Sequence, residues 1–450
     1  MSPRPRRSAQ PDVDEVLASL DVSALRRIVS EAAERHEDVA RAVRLAASRG
    51  SGDVAQLRLE VDRGLRTSRF LGYYESRRWS AEARPVVEAI RDAVKSSPSA
   101  ELVALIERAL GHVVKVILKA DDSDGLIGDV ARELLELHGE ACDAGVADPI
   151  KLARWMIRFR FEDQDFFEAD PVRYAKALGE IGIAAYRREV RHRREAGDDS
   201  FSAKYAEERL AVLDGDVDGI VHLLGGDLSR PHQFIRVAEA MEELGRDDDV
   251  LQWALRGIAA TSGWQVAQLY DLAAGVYSRR GEHQELLRLR RDQHSRMPSS
   301  SSYGLLRQAS EAAGAWESER PAARAILADN DLGGLIDVLL SDGETEAAWQ
   351  VTVDHAEWDP GHHRWMRLAE AGEATTPGDA LDVYLRLVDS ELETTGRAAY
   401  TRAAAILKKA ARAAKASNRE QAFGDHLQQL RETHRRRPTL ITVLDKAGLP

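Results

Sequence analysis

Three stretches of this 450-residue chain carry side chains that could bind a metal, and spacing decides what each can do. Asp121-Asp-Ser-Asp-Gly125 offers three carboxylates in four residues. A calcium loop needs oxygen ligands at its first and twelfth positions when glycine stands at the sixth. With Gly125 at the sixth, those positions hold Ala120 and Ala131. The stretch therefore reads as a turn between helices, with an Asp or Ser capping the second. His138 and Cys142 stand four apart and share one helix face. A closed zinc site takes four ligands, and the chain has one cysteine. His112 and His36 belong to other helices, so a small buried Cys beside a hydrogen-bonded His is expected. His355, His362 and His363 lie near Asp354, Glu357 and Asp359, without the His-x3-His spacing that sets two rings on one helix face. They read as surface or loop histidines. No zinc, calcium or other cofactor is expected.

Nucleophile and phosphate motifs do not stand out either. There is no Gly-x-Ser-x-Gly elbow and no Gly-x4-Gly-Lys-Ser/Thr loop. Carboxylates are plentiful, but most fall at helix starts or on polar faces, and no acid–base pair separates from them. The chain reads as non-enzymatic, with an unrecognised carboxylate site as one alternative.

Three basic runs remain: Arg187 to Arg194, Arg288 to Arg291 and His434 to Arg437. Arg187, Arg188, Arg191, Arg193 and Arg194 are the candidate partner-binding residues. Single-stranded nucleic acid asks for a basic groove with interleaved aromatics. These runs are short, and the net charge of −12 repels polyanions. A protein partner is expected, with a nucleic-acid role through these clusters as the other alternative. Solvated helix ends near the negative pole of the macrodipole would account for the same runs.

The elements that position these groups are helices. Strong helix formers (Ala, Leu, Glu, Arg) dominate, aromatics are 6%, and alternating strand patterns are scarce. Leu102, Leu105, Ile106, Ala109, Leu110, Val113, Val114 and Ile117 form one wide apolar stripe. In the second half a phrase recurs: apolar helix, glycine, acid-started helix. Its clearest copy runs from Gln233 through Gly245 to Gly257, with further hinge glycines at Gly281, Gly314, Gly343 and Gly372. Periods near 34 residues mark stacked helical hairpins of the tetratricopeptide kind. The expected fold is therefore all-α: an α-solenoid of antiparallel hairpins, tetratricopeptide-like in the C-terminal half. Residues 1–12 read as a disordered basic tail, 13–200 as an N-terminal helical domain and 201–450 as the repeat domain. Gly245 and Gly281 are expected in the left-handed region, and Trp253 and Tyr277 on apolar stripes. The start lacks an apolar h-region and no apolar run reaches spanning length. A soluble cytoplasmic protein-interaction scaffold or regulator is the reading that results.

Several phrases resemble a family of bacterial, mostly actinobacterial, helical-repeat proteins that carry a SWIM zinc finger. They include Leu25-Arg-Arg-Ile-Val-Ser-Glu-Ala-Ala-Glu34, Asp121 to Gly125, Tyr174 to Arg187, Leu244 to Ala254 and His434 to Leu449. The resemblance implies the family's helical region over residues 13–449. It does not extend to the finger, which needs three cysteines where this chain has one. Any zinc or DNA role attached to the finger does not carry over.

Overall fold

The computed structural model describes residues 17–51 and 54–449. The expected basic tail, residues 1–12, lies outside the described residues. The described chain is helical throughout, with one isolated parallel bridge between Leu71 and Ala120. It divides into two units at Gly226–Asp227. The hairpin at 201–225, which the sequence groups with the second half, belongs to the first unit.

The first unit contains α1 (Val22–Arg35), α2 (Glu37–Ser51), α3 (Val54–Gly64), α4 (Tyr73–Ser96), α5 (Ala100–Ile117), α6 (Leu126–Ala141), α7 (Pro149–Arg158), α8 (Ala175–Glu195), α9 (Phe201–Asp214) and α10 (Val217–Gly225). Starts follow the capping residues: Asp21, Ser99, Asp148, Ser200 and Asp216 each accept a backbone N–H from the first turn that follows. α4 begins at Tyr73, where the Glu75 carboxylate reaches back 3.1 Å to the Gly72 N–H. α8 runs on through the basic segment to Glu195. Arg187 to Glu195 contains neither glycine nor proline, and Arg193 pairs with Glu189 one turn earlier at 3.3 Å. One apolar core extends from Leu45 to Leu210, and the stripe of α5 is buried in it from Leu102 to Val116.

The second unit contains α11 (Pro231–Glu243), α12 (Asp247–Ala260), α13 (Val266–Arg280), α14 (His283–Arg296), α15 (Ser300–Ala312), α16 (Trp316–Asn330), α17 (Leu332–Ser341), α18 (Thr345–Asp354), α19 (His362–Gly372), α20 (Pro377–Glu393), α21 (Arg397–Ala416), α22 (Glu420–Thr433) and α23 (Pro438–Lys446). From α11 to α22 each helix packs on the next in sequence, and α11 packs on α13, α14 on α16, α15 on α17, α17 on α19 and α21 on α23. Contact with the nearest and next-nearest helix is the pattern of stacked hairpins. Gly245, Gly281, Gly314 and Gly343 take φ values of 68° to 79° where one helix turns into the next. Gly372 does not. It is a buried residue of α19, and a Cβ there would stand 2.8 Å from Trp349 Nε1. Trp253 is buried against Phe234 with ring centres 6.5 Å apart, and Tyr277 is half-buried.

Candidate partner-binding surface

α7 is set by its own sequence. The Asp148 carboxylate accepts the Lys151 N–H at 2.8 Å, and Pro149 fills the first helical position, where no N–H is needed. Leu152, Ala153, Trp155, Met156 and Ile157 are buried, which leaves Ile150, Lys151, Arg154 and Arg158 facing outward. A π-helical turn, Phe159–Asp163, closes the element and stacks Phe159 on Trp155 with centroids 5.0 Å apart. α8 lies close against α7 because Gly182 lacks a Cβ, which would stand 2.9 Å from the Pro149 carbonyl oxygen.

The five candidate arginines divide between two faces of α8. Arg187, Arg191 and Arg194 line a groove of about 560 Å³ shared with α9 and α10. There Arg187 pairs with Asp214, and Arg194 with Asp199 at 2.6 Å and Glu207 at 2.8 Å. Those carboxylates hold the Arg194 guanidinium above its ordinary pKa, and Arg194 holds Asp199 below its own. Glu195 and Asp216 line the groove as well, so its acids outnumber its bases. Arg188 and Arg193 line a groove of about 400 Å³ between α7 and α8. Arg193 lies 4.6 Å from the centre of the Phe161 ring and pairs with Glu162 at 3.1 Å. Arg188 and Arg191 are exposed and engage no carboxylate among the described residues.

A third groove, of about 480 Å³, runs between α5 and α7. Ala100, Val103, Ala104 and Glu107 of α5 face it at spacings of three and four, and Lys151, Leu152, Arg154, Trp155 and Arg158 face it from α7. Its two carboxylates already have roles, Asp148 as the cap of α7 and Glu107 beside His138 Nε2 at 3.7 Å. Arg158 stands 3.8 Å from Asp163. Lys151 and Arg154 are exposed and engage no carboxylate among the described residues. Sequence reading passed over these cations, although the alternation of 151, 154 and 158 with apolar 152, 155 and 156 is helical spacing visible in the chain.

Behind this groove lie His138 and Cys142, both fully buried. His138 Nδ1 and the Tyr174 hydroxyl are 2.8 Å apart, and the ring rests on Trp155 with centroids 4.2 Å apart. Burial pushes the Cys142 thiol up to about 12 and His138 below its ordinary value. The pair is a packed, hydrogen-bonded unit with a protonated thiol, which is a poor nucleophile and metal ligand. In the 121–125 turn the Asp122 carboxylate caps α6 through the N–H groups of Ile127 and Gly128, both at 2.9 Å. Asp124 pairs with Arg77 at 2.5 Å and accepts the Tyr73 hydroxyl at 2.8 Å. Asp359 accepts the Trp365 indole N–H at 2.7 Å. Among the described residues no three His, Cys, Asp or Glu side chains converge as a metal site.

No family model matches the sequence, and no curated protein sequence matches it. Among solved structures the chain is similar at 12% identity to one described as Naa15/Naa10 bound to HypK-THB, over 88% of this chain and 65% of that one, with a TM-score of 0.28. It is similar at 14% identity to a circular tandem repeat protein with novel repeat topology, over 91% of this chain and 100% of that one, with a TM-score of 0.15. The chain spans about 65% of the length of the first. Likenesses this distant bring no partner or activity with them, and the helical-repeat fold rests on the helices and contacts described above.

Proposed function

We propose that this chain is a non-enzymatic scaffold or regulator that holds protein partners on its helical-repeat surfaces inside the cell. The observation that carries the reading is a set of grooves between neighbouring helices of the first unit, each edged by at least one cation that engages no carboxylate among the described residues: Arg191, Arg188, and Lys151 with Arg154. Stacked hairpins present such grooves because each helix buries one stripe and leaves the next exposed. Their long, partly apolar walls suit a protein segment laid along them. Three of the five candidate arginines are engaged within the fold, so partner contact falls to Arg188, Arg191, Lys151 and Arg154. The free, buried thiol of Cys142 accords with a reducing compartment. No helix among the described residues is long and apolar enough to cross a membrane.

The test is to purify the tagged full chain from its native cell after nuclease treatment and to measure the mass of the eluting species. A stoichiometric protein partner that survives nuclease and 150 mM salt is expected. A chain that elutes alone, or a complex that nuclease dissolves, contradicts the proposal.

A further inference from the structure

The α5–α7 groove has the makings of a seat for one kind of occupant. Val103, Leu152 and Trp155 form a buried apolar floor, and the small exposed residues Ala100 and Ala104 leave room above it. The α5 residues recur at three- and four-residue steps, so the groove is walled by one helix face on each side, the geometry that accepts a third helix by ridge and groove packing. Lys151 and Arg154 edge the α7 wall without a carboxylate partner, while Asp148 caps α7 and Glu107 stands 3.7 Å from the buried His138 ring. The lining carries Lys151, Arg154 and Arg158 against Glu107 and Asp148, so the groove is positive by one charge, with both unpaired cations on the α7 wall.

We propose, on the reading of the chain as a protein scaffold, that the α5–α7 groove receives an amphipathic helix of a partner protein. Its apolar residues, spaced three and four apart, enter over Val103, Leu152 and Trp155, and its carboxylates face Lys151 and Arg154. An apolar floor has nothing to offer a nucleic-acid backbone, and a chain of net charge −12 repels a long polyanion while tolerating a helix with a few acids. Helix-in-groove binding takes affinity from the apolar anchors and orientation from the charges.

The experiment uses the full chain and a fluorescein-labelled model helix of about 18 residues, with Leu on one stripe and Glu flanking it. A Lys-flanked version and a 20-base-pair DNA duplex serve as competing probes. Binding is read by anisotropy in 150 mM salt for the wild type, for K151E/R154E, for A104W, which fills the groove without changing charge, and for R397E/K408E, which makes the same charge change in the second unit. Circular dichroism verifies that each variant is folded. The Glu helix is expected to bind the wild type and R397E/K408E alike. It should bind both groove variants at least about tenfold more weakly, the scale of a few lost contacts. Failure of the Glu helix to bind, equal binding to A104W, preference for the Lys helix, or tighter binding of DNA through the same residues overturns the proposal. A partner recovered from the native cell that binds K151E/R154E and A104W as well as wild type would overturn the groove assignment and leave the scaffold reading standing. Recovery of no partner would count against the scaffold reading itself.

Discussion

Single residues in this protein are set by what surrounds them, and the histidines respond to that most directly. His294 is fully buried, with Nδ1 2.8 Å from the Ser302 hydroxyl and Nε2 2.9 Å from the Ala323 carbonyl oxygen. The carbonyl can only accept, so Nε2 carries a proton, while the single hydrogen of the Ser302 hydroxyl is shared between Nδ1 and the Ser299 carbonyl oxygen at 3.0 Å. Burial holds the ring's pKa below its ordinary value, and His138 in the first unit is shifted the same way by the same cause. A histidine whose folded value is depressed contributes stability that is full above the unfolded value of about 6.5 and is lost as pH falls through it. Urea midpoints should therefore drop between pH 7.5 and 5.5. His294→Asn should lower the midpoint at pH 7.5 and flatten its dependence on pH in the second unit. A variant with the wild-type slope would show that His294 does not titrate in this window. At this scale the sequence was half legible. It paired His138 with Cys142 from their spacing, but not with Tyr174, 36 residues away. It located the arginines of α8, but not Asp214, Glu207 and Glu162, which arrive from other elements and neutralise three of them.

Elements are held by caps, hinges and close approaches, and the glycines separate these roles. Gly245 is left-handed with open space where a Cβ would stand, so Gly245→Val strains one turn and should cost roughly 1–2 kcal/mol. Gly257, within α12, faces the opposite problem. A Cβ there would come 2.7 Å from Phe234 Cβ and 2.8 Å from Leu269 Cδ1. Gly257→Val should cost more than Gly245→Val, at the upper end of about 1–3 kcal/mol or beyond, because two helices must move apart. Trp253→Ala should leave a cavity and cost about 3–5 kcal/mol. Denaturant midpoints rank the three variants, and a Gly257 variant milder than Gly245→Val would contradict the packing described. Recurring glycines were visible in the chain, and four of the five marked hinges. The fifth, Gly372, recurs at the same spacing but buries itself under Trp349, since one small residue suits a turn and a close contact equally well. The extent of α8 follows from its composition: the basic run is polar, yet without glycine or proline nothing in it ends a helix before Glu195.

For the whole molecule, stacked hairpins imply local rather than global coupling within the second unit. Trp253→Ala should raise hydrogen exchange across α11 to α14 before it does so in α20 to α23, and uniform loss of protection over the entire unit would show a single cooperative block. Composition announced the all-helical fold and the repeat period announced the hairpins. Neither could announce a partner, because binding depends on which cations remain unpaired once the helices pack, and that is a property of the folded surface. The measurement that bears most directly on the scaffold account is hydrogen exchange on the complex recovered from the native cell, compared with the chain stripped of its partner. The account predicts slowed exchange in the partner-bound state over α5 and α7, around Ala104 and Arg154, with little change in the buried core at His138. Protection confined to other elements would contradict the groove assignment, and no partner-dependent protection anywhere would contradict the scaffold account itself.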